Sequence, residues 1–98
     1  MQRSKVVVPW PNGLHLRVAT KLVRVAQRFR STISLAHGGT IADVGSVLSV
    51  IALCATMGTT LDLQAAGDDE QDAVEAIEHV FSQDAGGDPS GSSSGETV

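Results

Sequence analysis

Apolar positions along this chain switch between two periods, and each switch marks an element. Lys5–Val8 is a short run rich in β-branched residues, closed by Pro9-Trp10-Pro11-Asn12-Gly13, which reads as a strand followed by a loop. From Val18 the apolar positions are Val18, Leu22, Val25, Ala26 and Phe29, the spacing of a helix of about three turns that buries this stripe. Thr32–Leu35 directs Ile33 and Leu35 inward as a strand, and Thr40–Val44 reads as its partner. His37-Gly38-Gly39 between them supplies the positive φ of a tight hairpin turn. Ser46 is a helix N-cap before Val47, Leu48, Val50, Ile51 and Leu53, and Met57-Gly58 is expected to end that helix. Thr60–Ala66 alternates, with Leu61, Leu63 and Ala65 on one face of a half-buried strand. Gly67-Asp68-Asp69-Glu70 opens a last helix with carboxylates at the favourable end of its dipole, and Ala73, Ile77, Val80 and Phe81 form its buried stripe.

The order β-α-β-β-α-β-α, with hairpin-length connections, predicts an α+β domain: one mainly antiparallel sheet of four strands with three helices on one face. Residues 1–83 are expected to form this domain. From Asp84 the sequence is DAGGDPSGSSSGETV, a Gly/Ser-rich tail over 84–98 that is expected to be disordered because it cannot bury apolar surface. So small a domain leaves little room for a deep cleft, which argues for work done at the surface rather than for an independent enzyme. The single Cys54 allows no disulfide within the chain and fits a reducing compartment, and no segment reads as a signal peptide or membrane span. Cytoplasmic localisation is the default expectation. Cys54 and Met57 are both expected to be buried packing.

Net charge is −4, yet its distribution carries more information than the sum. All seven Lys and Arg lie between Arg3 and Arg30, and all eleven Asp and Glu lie from Asp43 onward. On the first helix Arg17, Lys21, Arg24 and Arg28 repeat with the helical period, which gives it a cationic outer face.

Candidate chemistry sits at the start of that helix, in Asn12-Gly13-Leu14-His15-Leu16-Arg17. The first amides of a helix lack partners, and its dipole adds about half a positive charge there, so the segment is a potential anion site. His15 falls at or beside the N-cap. Arg17 opposes the dipole by about 0.3–1 kcal/mol, which a phosphate gripped by its guanidinium would offset. Spacing alone favours the plainer reading of an exposed histidine beside an exposed arginine.

The run Gly13-Leu14-His15 with Arg17 resembles the active-site signature of HPr, the histidine phosphocarrier of the bacterial phosphotransferase system. The likeness extends over Leu22-Val23, Ala26, Phe29 with Ser31, Ile33, the Gly39-Thr40 turn and Gly45-Ser46-Val47-Leu48. It continues through Leu53, Gly58, Leu61, Gly67 to Glu70, and Ala73, covering residues 5–81 in the family's element order. It implies the open-faced β-sandwich of HPr, with His15 accepting phosphate from phospho-enzyme I on a ring nitrogen (Nδ1 in the family). His15 would then pass it to the A domain of a sugar permease or an equivalent acceptor. Arg17 carries over as the phosphate partner. The implied docking surface comprises Leu16, Lys21, Arg24, Val47, Leu48 and Ile51. Ser46 matches a serine that a regulatory kinase modifies in some members, although a plain N-cap also accounts for it. No cofactor or metal is implied, and the chain is expected to act as a monomer.

Three positions depart from the family pattern. Leu16 stands where alanine is usual, Val18 where proline is usual, and Gly45 where many members carry lysine. Proline there only pre-sets the first helical turn, so Val18 bears on order rather than on mechanism. A regulatory interaction domain that docks on an enzyme or transcription factor without phosphoryl transfer is the alternative function. Nucleic-acid binding is the weakest reading, since aromatic content is 3% and the net charge is acidic.

Overall fold

The computed structural model describes residues 1–82, so the expected tail over 84–98 lies outside the described residues. The elements are β1 (Gln2–Val7), α1 (Leu16–Ala26), β2 (Thr32–His37), β3 (Thr40–Asp43), α2 (Val47–Ala52), β4 (Thr60–Ala66) and α3 (Glu70–Ser82). The strands form one sheet in the order β1-β4-β2-β3, and every pairing is antiparallel. Register follows the alternation of side chains. Val6 stands opposite Leu61, and Leu35 opposite both Leu63 and Ala42, so one face of the sheet is apolar throughout. The helices pack on that face, and the other face, carrying Lys5, Asp62 and Ile41, is open.

The core joins Val6, Ile33, Leu35, Leu61 and Leu63 of the sheet to Leu22 of α1, Val50 of α2 and Ile77 of α3. Leu22, Leu35, Leu61, Leu63 and Ile77 are fully enclosed. Truncating Leu22 to alanine would cost about 2–5 kcal/mol, a large share of the roughly 5–15 kcal/mol by which such domains are stable. α1 ends at Ala26, one turn before Phe29, so Val25 and Phe29 lie half-buried at the core's edge and Val23 takes a buried place instead. Arg28 accordingly sits in the turn after the helix rather than on it.

Three expectations are corrected. β1 begins at Gln2, because pairing with β4 needs only backbone groups and the polar Gln2-Arg3-Ser4 supplies them. α2 ends at Ala52 rather than at Met57-Gly58: the Cys54 amide donates back to the Ile51 carbonyl and Cys54 turns left-handed at φ +52. That conformation costs a non-glycine residue about 1–2 kcal/mol. In consequence Cys54 and Met57 are not core residues. Both are exposed, Met57 at 58%, because the chain has left the helix before reaching them. Residues 54–59 instead run back to the sheet, where Gly58 donates to the Val8 carbonyl at 2.8 Å and Val8 donates to Thr59 at 2.9 Å.

Two contacts add to the buried stripe of α3 in setting its position. At its start the Asp69 carboxylate accepts from the amides of Arg30 and Ser31 and from the Ser31 hydroxyl at 2.7 Å, tying it to the α1–β2 loop. Near its end the Phe81 ring packs on Trp10, with centroids 5.1 Å apart. Trp10 is thereby a buried anchor for the β1–α1 loop.

Candidate phosphoryl-acceptor site

The β1–α1 loop delivers His15 to the N-cap of α1 in an extended conformation, φ −84 and ψ 175. Its amide donates to the Gly13 carbonyl at 2.9 Å, and its own carbonyl accepts the Ala19 amide at 2.9 Å as the first helical hydrogen bond. A usual N-cap residue would fold its side chain back onto the helix, but His15 makes no such bond. The half-buried imidazole engages no hydrogen bond among the described residues.

The amides of Leu16, Arg17 and Val18 likewise find no acceptor among the described residues. They are the orphan donors of a helix start, and no acidic residue lies in this first turn. Arg17 is exposed and forms no ion pair among the described residues. A cation therefore adds to the positive end of the α1 dipole with nothing negative among the described residues to balance it. Three free amides, a guanidinium and an unbonded imidazole within four consecutive residues, His15 to Val18, make a site suited to a dianion beside a nitrogen nucleophile.

The other residues expected at the site fall on a surface around it. Lys21 and Arg24 are exposed on the outer side of α1. Leu16, 63% exposed, follows His15 directly, and Leu48, 78% exposed, projects from α2, which packs beside α1. Val47 and Ile51 are half-buried, with one side on the core and the other on this surface. Ser46 caps α2, its hydroxyl accepting the Ser49 amide at 3.3 Å. Beside it the Gly45 amide donates to the Asp43 carboxylate at 2.8 Å. His37 and His79 are exposed, at the end of β2 and on α3.

One participant has no sequence signal. Ala55 accepts the Leu14 amide at 3.0 Å, so the α2–β4 connection forms the floor of the His15 loop. The two are about forty positions apart in the sequence, and no periodicity or motif links them.

The chain matches the family model described as PTS HPr component, phosphorylation site, over residues 2–83. Among solved structures it is similar to an HPr from Thermoanaerobacter tengcongensis, with 26% identity over 91% of this chain and 100% of that one and a TM-score of 0.84. It is similar to the phosphocarrier HPr of Bacillus anthracis at 26% identity, over 82% of this chain and 95% of that one, with a TM-score of 0.77. Crh, the catabolite repression protein of Bacillus subtilis, shares 32% identity over 86% of this chain and 97% of its own, with a TM-score of 0.70.

Proposed function

The chain belongs to the HPr family of the phosphotransferase system, and from that premise we propose that His15 is its phosphoryl-carrying residue, charged by phospho-enzyme I and discharged to a sugar-permease A domain or a regulatory acceptor. The observation that carries this reading is the unpaired Arg17 beside three free amides at a helix start whose N-cap is His15.

The chemistry follows from these groups. An unprotonated ring nitrogen of His15 attacks phosphorus with its lone pair, while the proton stays on the other nitrogen. The N–P bond forms as the bond from phosphorus to the donor breaks, and its electron pair returns to the donor. Charge on the phosphoryl oxygens meets the Leu16, Arg17 and Val18 amides and the Arg17 guanidinium, groups already in place before the donor arrives. Discharge is the same step in reverse toward a new nucleophile, so the chain is a carrier and no cofactor enters. Docking is assigned to the cationic side of α1 with Leu16 and Leu48. Ser46 is assigned to the α2 cap. A phosphate placed on it by a serine kinase would add about −1.5 to −2 charge to the rim of that surface and slow encounter with an acidic partner.

Incubation with enzyme I and phosphoenolpyruvate tests the proposal. The chain should acquire phosphate that is lost in acid and kept in alkali, as a phosphorus–nitrogen bond is, and His15→Ala should acquire none. An acid-labile phosphate on the alanine variant would place the acceptor elsewhere. A wild-type chain that binds enzyme I but stays unphosphorylated would favour the interaction-domain alternative.

A further inference from the structure

Gly13 is a buried residue at φ +69, two positions before His15. Its amide donates to the Trp10 carbonyl at 2.9 Å, and its carbonyl accepts the His15 amide at 2.9 Å. The next residue, Leu14, donates to the Ala55 carbonyl at 3.0 Å. A Cβ on Gly13 would stand 2.3 Å from that same Ala55 oxygen and 3.2 Å from the Thr56 Cα. Both are backbone atoms, so no side-chain rotation can make room.

We propose that Gly13 is a positioning residue for His15: the missing side chain lets the β1–α1 loop seat on the Ala55 carbonyl, and this seat sets where the imidazole stands relative to Arg17 and the free amides of α1. The inference rests on the reading of His15 as the phosphoryl acceptor.

The coupling is short and stiff. Gly13 touches the floor, Leu14 is bonded to it, and His15 is bonded to Gly13, so the backbone of three consecutive residues is registered to Ala55. Ordinary van der Waals contact begins near 3.4 Å, so a 2.3 Å approach must open by about 1 Å, and a misplacement of that size costs an enzyme site about 100-fold in rate. Docking residues on the outer sides of α1 and α2 need not move. The change should therefore fall on the chemical step rather than on recognition.

Gly13→Ala is compared with Gly39→Ala, which forces an equally left-handed residue, φ +86, into the remote β2–β3 turn, where a Cβ meets nothing within 4 Å. Both full-length variants are assayed as acceptors from phospho-enzyme I at a temperature where circular dichroism shows them folded. Gly13→Ala should lower kcat by about 10- to 100-fold with KM within about threefold of wild type. Gly39→Ala should lose stability and keep its kcat. A Gly13→Ala chain with wild-type kcat overturns the inference, and so does an equal kcat loss in Gly39→Ala. Should Gly13→Ala fail to fold, Thr56→Gly loosens the floor without a clash by giving glycine's conformational freedom to the backbone that directly follows the Ala55 carbonyl. It should lower kcat several-fold at constant KM, and an unchanged kcat overturns the inference. A wild-type chain that takes no phosphate overturns the proposed function and this inference together, whereas transfer by wild type with equal transfer by Gly13→Ala overturns this inference alone.

Discussion

Arg17 is a cation on the unfavourable end of its own helix, and the residues around it do nothing to relieve it. No carboxylate lies in the first turn and no ion pair engages the guanidinium among the described residues. Replacing Arg17 by alanine should therefore leave the melting temperature unchanged or raise stability by up to about 0.3–1 kcal/mol. Transfer to His15 should slow by about 100-fold, the scale of losing one preorganised charge-stabilising donor. Thermal unfolding and a transfer assay on the same sample separate the two effects. A clear loss of stability with normal transfer would reassign Arg17 to the fold. Val18 is buried and continues the apolar stripe, so the position that proline usually occupies is here used for packing. Leu16 is exposed beside the histidine, which places an apolar side chain on the proposed docking surface.

At the scale of elements, the α1–β2 loop and α3 are held together by one carboxylate. The Ser31 hydroxyl, then the Arg30 amide, hold the Asp69 carboxyl below its ordinary value of 3.8, since each donates to the charged form. The folded-state pKa is depressed, so the stability this group contributes is fully present above about pH 3.9 and is lost as the pH falls through the lower folded value. Asp69→Asn should consequently melt below wild type at neutral pH, and the gap should close on acidification below about pH 4. Melting curves from neutral to strongly acidic pH check this. A gap that persists unchanged in acid would mean that the hydrogen-bond geometry matters and the charge does not. α2 shows the opposite economy: a helix of six residues, capped at one end by Ser46 and ended by a strained Cys54, held by burial of Val50.

The whole molecule divides by charge as well as by chain position. The cations of α1 face away from the core on the side that carries His15, while α3 begins with Glu70 and Asp72. If docking uses this field, raising salt from about 0.1 M to 1 M shortens the screening length from about 10 Å to about 3 Å. KM for phospho-enzyme I should then rise by about tenfold or more, with kcat steady. A KM indifferent to salt would assign docking to the apolar Leu16 and Leu48 alone. Element order, the inward faces of the strands, Val18, Leu22 and Ala26 of the α1 stripe and the motif around His15 were legible in the linear chain, because period and capping are properties of adjacent residues. Where α2 stops was not. Its apolar run continues to Leu53 and Ala55, and only the return of residues 54–59 to the sheet forces the turn at Cys54 and leaves Met57 in solvent. The extent of β1 was hidden for a related reason, since an edge strand is defined by hydrogen bonds to β4 that polar side chains do not announce. The sequence by itself therefore determined which histidine stands at a helix start and which strand residues face the core. Tertiary structure alone decided that the Ala55 carbonyl lies beneath Gly13, because a contact between two backbones distant in the chain leaves its mark in the sequence only as a missing side chain.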